Sequence, residues 1–185
     1  KSSVDFKIKG LLHSVRVLYR RSHYEDCKEL LQKVKNLAYT YESFANVLEV
    51  LNWEKQIAYA QMDVHFLDSD IGRIDEEEKA CFDQFVNLSG YKNVFYTVLV
   101  NVRKNALLRS EEQRKLLDKI MDTPLLNSVA SANSHKAKLL FYRINSLYYY
   151  AILDYENFYT SSKLVLEQME SKPNLLKEDI SEYIS

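Results

Sequence analysis

Arg16-Val17-Leu18-Tyr19-Arg20-Arg21-Ser22-His23-Tyr24-Glu25-Asp26-Cys27-Lys28-Glu29-Leu30-Leu31-Gln32-Lys33-Val34 is the stretch that decides the fold. It contains the end of one periodic apolar segment, a short polar break and the start of another. Upstream of the break, Val4, Ile8, Leu11, Leu12, Val15, Leu18 and Tyr19 recur at three- and four-residue spacing, which predicts a helix over 4–21. Ser22-His23-Tyr24-Glu25 reads as a capping box, with the Ser22 hydroxyl satisfying an N–H of the next helix and Glu25 reaching back. Cys27, Leu30, Leu31, Val34 and Leu37 then line one face of a second helix ending near residue 38.

Working outward, the same reading covers nearly the whole chain. A helix over 41–66 carries two apolar stripes, so both sides need cover. Phe44, Val47, Leu48, Leu51, Ala58 and Met62 form one stripe, and Val50, Trp53, Ile57, Ala60 and Val64 the other. Asp68-Ser69-Asp70-Ile71-Gly72 reads as a loop, Asp75 as the cap of a further helix, and Gly90 as its end. Tyr91 starts a helix to about residue 108. Val94–Val100 has strand propensity, but no second strand-like run exists to pair with it. Ser110-Glu111-Glu112-Gln113 is another capping box, and Thr123-Pro124 pairs an N-cap with a first-turn proline. Ser134 opens a helix to about 152, Asp154 caps one to about 170, and a last helix follows Pro173. The expectation is an all-α fold of antiparallel helix pairs, with residues 1–185 as a single domain.

Composition narrows the function classes. The chain has 185 residues, 46% hydrophobic and 28% charged, with a net charge of −1 and only three Gly and two Pro. Disorder, tight-turned β folds, glycine-rich phosphate cradles and nucleophile elbows all need a different composition. No apolar run is long enough to span a membrane, and Asp5, Lys7 and Lys9 interrupt any secretory core near Lys1. Beginning at Lys1 rather than Met, the chain reads as a processed form or a fragment of a longer protein. Cys27 and Cys81 lack a C-x-x-C spacing and read as free thiols of a reducing, cytoplasmic setting, with a disulfide as the alternative. Charge is uneven: residues 1–35 hold nine bases against four acids, or +5, and residues 63–83 hold two against eight, or −6. That polarity suits docking more than the wrapping of nucleic acid.

The quoted stretch resembles a tetratricopeptide repeat (TPR), spanning the end of its first helix, the tight turn and most of its second helix. Leu11, Val15 and Leu18 stand at the first-helix positions of that family, and Cys27, Leu31 and Val34 at those of the second. Tyr142, Ser146 and Tyr149, followed by Asp154-Tyr155-Glu156, Val165 and Pro173, resemble it again. Val15 is bulkier than the small residue usual there, Phe158 and Ser162 reverse the usual order of sizes, and no 34-residue period runs through residues 40–133. The resemblance implies a TPR-like right-handed solenoid or helical array, and a scaffold or adaptor that binds protein or peptide on a concave face.

Candidate binding residues follow from spacing. Lys9, His13, Arg16 and Arg20 are four, three and four residues apart, which puts four basic side chains on one helix face. Such a face could receive an acidic peptide or a carboxylate; an ordinary solvated face is the plainer alternative. Tyr142 and Tyr150 are candidates for amphipathic contact area, with packing between helices as their alternative. The Asp68–Gly72 segment fails as a calcium loop because Gly72 occupies a ligand position. No catalytic motif, metal set or cofactor fingerprint is legible, so no enzyme, metal or cofactor is expected. Three alternatives complete the expectation: a helical repeat binding nucleic acid through the same basic helix and Tyr19, a helical enzyme with a site between helices around His135, Arg143 and the nearby tyrosines, and a scaffold that self-associates by docking its basic end on the acidic segment.

Overall fold

The computed structural model describes residues 3–105 and 111–184, with side chains of the last helix described through Glu178. Every regular element among these residues is helical, in eight α-helices and two short 3-10 turns. They are α1 (Val4–Arg20), α2 (Tyr24–Thr40), α3 (Phe44–Ala60), α4 (Val64–Asn105), α5 (Glu111–Met121), α6 (His135–Ala151), α7 (Tyr155–Glu170) and α8 (Pro173–Ile184). The 3-10 turns cover Pro124–Leu126 and Val129–Ser131. The chain divides into two compact units, one of residues 1–85 with 177–185 and one of residues 86–176.

In the first unit, α1 packs on α2 and α2 on α3. Each is 17 residues long and is joined to the next by three residues. The turns share one geometry. Ser22, Glu42 and Met62, each twenty residues from the next, adopt left-handed backbone with φ of 60, 50 and 52°. That bend lets the following N–H reach back to the last turn: His23 donates to the Leu18 carbonyl, Ser43 to Ala38 and Asp63 to Ala58, at 3.1, 2.8 and 2.9 Å. This is the Schellman arrangement, which satisfies carbonyls that a helix end otherwise leaves open. The same residues open the next helix, since the carbonyls of His23, Ser43 and Asp63 accept from Cys27, Val47 and Leu67. No slack remains between helices. The second unit repeats the turn at Leu153 (φ 61°), where Asp154 N–H donates to Tyr149 and α6 folds back on α7.

Several boundaries differ from the sequence expectation. Ser22 does not cap α2, because it occupies the left-handed position, and Glu25 instead bonds Lys28 and Gln61. The helix expected over 41–66 is broken at 61–63, which leaves Met62 and Val64 exposed rather than in a stripe. Its two-sided burial does appear: Phe44, Val47, Val50, Leu51, Trp53, Ile57 and Ala58 are all buried. The expected loop at 68–72 and the expected end at Gly90 both lie inside α4, a helix of 42 residues. Arg73 pairs with Asp70 and Glu77 at 3.0 and 3.2 Å, i,i+3 and i,i+4 contacts that favour helix here by a few tenths of a kcal/mol. At Gly90 the missing side chain serves packing, since a Cβ there would stand 3.0 Å from Leu125 Cδ1. The Tyr91 hydroxyl donates to the Leu125 carbonyl at 2.5 Å, and Asn87 bonds the Ser131 carbonyl and the Asn133 N–H. The glycine therefore admits the 124–126 turn against a continuing helix. Val94–Val100 is helical as expected, while Ser110 and residues 106–108 lie outside the described residues.

Candidate functional site: the basic face of α1

Helix α1 buries Ile8, Leu12 and Val15 against its neighbours. At about 100° per residue, the opposite side carries Phe6, Gly10, His13 and Val17, flanked on one edge by Arg20, Lys9 and Arg16. The structure thus brings together all four basic residues expected at this face, and all four are exposed. Lys9 bonds Asp5 one turn earlier, at 2.5 Å. His13, Arg16 and Arg20 have no ion pair or side-chain hydrogen bond among the described residues. The N-terminus of α1 is closed by the Ser3 hydroxyl, which accepts from Phe6 N–H, and by the Glu178 carboxylate, which accepts from Val4 N–H at 2.6 Å. A carboxylate there complements the positive helix end and fixes the helix that presents the cations.

Elsewhere in the same unit, cations are tied down. Lys35 of α2, only 12% exposed at its side chain, reaches Glu54 of α3 at 3.3 Å and Glu77 of α4 at 3.0 Å. The Tyr39 hydroxyl donates to the other Glu77 oxygen at 2.5 Å, and Lys55 pairs with Glu78 at 2.6 Å. Burial opposes the charge on Glu77, but the bonds from Tyr39 and Lys35 and the nearby Arg73 outweigh it and hold the carboxyl below its usual range. Burial, then the bond to Glu77, pushes the Tyr39 hydroxyl well up. Burial and the Glu77 charge raise the Cys81 thiol to about 11, and its Sγ donates to the Phe44 carbonyl at 3.3 Å. The Cys27 thiol is likewise raised by burial and donates to Val15. Both cysteines are free and buried.

The charge polarity of the sequence is therefore spent in part inside the chain, where acids of α4 hold bases of α2 and α3. This cluster was missed at the level of single residues, although the +5 and −6 segments were its signal. Beside it lies a cleft of about 170 Å³ with Leu31, Ile57 and Phe66 at its apolar wall and Lys28, Glu54 and Arg73 among its charged lining.

In the second unit, Tyr142 is half-buried and edge-on to Phe141, with ring centroids 5.5 Å apart. Tyr150 is exposed and tilted against Phe158 at 5.7 Å. Tyr148 donates to Asp118 at 2.8 Å, and burial, with that bond, raises its hydroxyl to about 12. His135 is buried, with Nδ1 2.9 Å from Gln168 Nε2. Among the described residues no group of three or more His, Cys, Asp or Glu is placed to hold a metal ion. No helix among them is long and apolar enough to cross a membrane.

Comparisons with protein families, with curated proteins and with solved structures find no match for this chain.

Proposed function

We propose that this chain is a non-enzymatic, cytoplasmic protein-interaction module, a TPR-like right-handed array of helix pairs that takes an acidic peptide or protein on the basic face of α1. The repeated three-residue turns and the packing of α1 on α2 and of α2 on α3 support the repeat architecture. One observation carries the binding reading. His13, Arg16 and Arg20 stand exposed and uncommitted on a helix fixed at both ends, whereas Lys35, Lys55 and Arg73 are consumed by α4. Because the backbone of α1 is already fixed, binding of an acidic group there has to order only the side chains that meet it. The nucleic-acid alternative is less well served, because Tyr19 is half-buried and already engaged edge-on with Tyr24 and Trp53 at 5.6 and 5.2 Å.

The test is affinity capture from nuclease-treated native lysate, comparing wild type with the Arg16→Glu/Arg20→Glu double variant. A protein retained by the wild type and lost by the variant is the expected result. Equal retention of every captured protein by both baits would remove the basic face from the binding site.

A further inference from the structure

Helix α7 carries an outer face that mirrors that of α1. Tyr155, Tyr159 and Leu166 are 68, 73 and 59% exposed. At about 100° per residue they fall within about 40° of one another. One edge of this stripe is acidic, formed by Glu170, Glu156 and Glu167, with Lys163 among them. Lys163 approaches Glu167 at 3.8 Å. Glu156 and Glu170 have no ion pair among the described residues. On α1 the corresponding stripe is Phe6, 70% exposed, and Val17, with its basic edge at Arg20, Lys9 and Arg16.

We propose that a second copy of this chain is the partner of the α1 face, seated through its α7 face in a head-to-tail contact. This rests on the reading of α1 as a docking face and names the acidic surface that it takes. The two faces are complementary in two respects. Each stripe supplies exposed aromatic and aliphatic area, and one stripe is edged by uncommitted cations where the other is edged by uncommitted carboxylates. Helix geometry also fixes the direction. On α1 the charged edge lies on the counter-rotating side of the apolar stripe, and on α7 on the advancing side. When two right-handed helices face each other in parallel, those sides coincide; with Phe6 level with Tyr155 and Val17 level with Leu166, Lys9 falls beside Glu156, and Arg16 and Arg20 beside Glu167 and Glu170. In antiparallel contact the charged edges would lie apart. Because the two surfaces differ, the contact is heterologous: in a pair one copy keeps a free α7 face and the other a free α1 face, so a third copy can add at either end.

That property supplies the experiment. Sedimentation velocity of the full chain at low salt should show concentration-dependent association that weakens as salt rises. The Arg16→Glu/Arg20→Glu variant and a Tyr155→Ser/Tyr159→Ser variant, each alone, should be monomeric or bind themselves about 100-fold more weakly. Mixed in equal amounts, they should form a one-to-one dimer and nothing larger, because one variant retains α7 and the other retains α1. Unchanged helical circular dichroism of both variants separates loss of contact from loss of fold. A wild type that stays monomeric overturns the proposal, while capture of a different acidic protein through Arg16 and Arg20 would leave the basic face as a docking site. Association that survives the α7 substitutions, or a mixture that fails to dimerise, also overturns it.

Discussion

Helices α1–α3 and helix α4 are built from similar residues and end differently. The first three stop after 17 residues, whereas α4 continues for 42 through Gly72 and Gly90. Local breakers do not explain this: Ser22, Glu42 and Met62 turn the chain with no glycine, and two glycines fail to turn it. A helix here ends where a Schellman turn lets the next helix pack back on it. It continues where neighbours hold the next turn. For α4 those neighbours are Lys35 and Lys55 on the first unit's side and the 124–126 turn in the second unit.

The largest expected effect breaks the short-helix stack. Leu51 is fully buried in α3, and Leu51→Ala should cost about 3 kcal/mol, read by chemical denaturation. Because three-residue joints and direct packing couple α1, α2 and α3, their helical signal should be lost in one transition.

Next comes the tie between stack and long helix. Lys35→Met leaves Glu54 and Glu77 facing each other without their shared cation and should cost about 2 kcal/mol at neutral pH. The pH dependence has a definite sign. The Glu77 carboxyl is held below its ordinary value of 4.5 in the folded chain. Its contribution is therefore complete above 4.5 and is lost as pH falls through the folded value. Stability of the wild type should fall on acidification below pH 4.5, and Lys35→Met should flatten that fall. An equally steep acid limb in both proteins would exclude Lys35 as the cause.

Two glycine substitutions sharpen the account of α4. A Cβ at Gly72 meets nothing within 4 Å, so Gly72→Ala should raise stability by about 1 kcal/mol through helix propensity. Gly90→Ala should gain less, because its Cβ meets Leu125 at 3.0 Å. If both gained equally in thermal melts, close approach would not be the reason for Gly90. The smallest effect belongs to the turns: Met62→Gly, at an exposed residue with φ 52°, should stabilise by about 0.5 kcal/mol.

The all-helical character was legible because apolar spacing reports directly which side of a helix is covered. The two-sided burial of α3 was visible in its two stripes, and the face shared by Lys9, His13, Arg16 and Arg20 follows from spacing alone. The breaks near 22, 40 and 153 were legible, but the one at 61–63 and the geometry common to all four were not, because Ser22, Glu42, Met62 and Leu153 share a backbone angle and no side-chain type. Gly90 misled for the opposite reason, since its cause is Leu125, thirty-five residues away in sequence. The pairing of Lys35 with Glu54 and Glu77 likewise depends on three helices meeting, which no local pattern records. The exposed stripe of α7 could have been read from Tyr155, Tyr159 and Leu166, had its period been sought beyond the tyrosine run of α6.

The twenty-residue step between the left-handed residues has a consequence for how such a chain can lengthen. Each step reverses the direction of the helix, so an internal duplication of one step inverts everything downstream of it. A duplication of two steps restores the original direction and inserts one complete hairpin. Growth by gene duplication is therefore quantised: even numbers of helices extend the array, and odd numbers turn its remaining surfaces upside down.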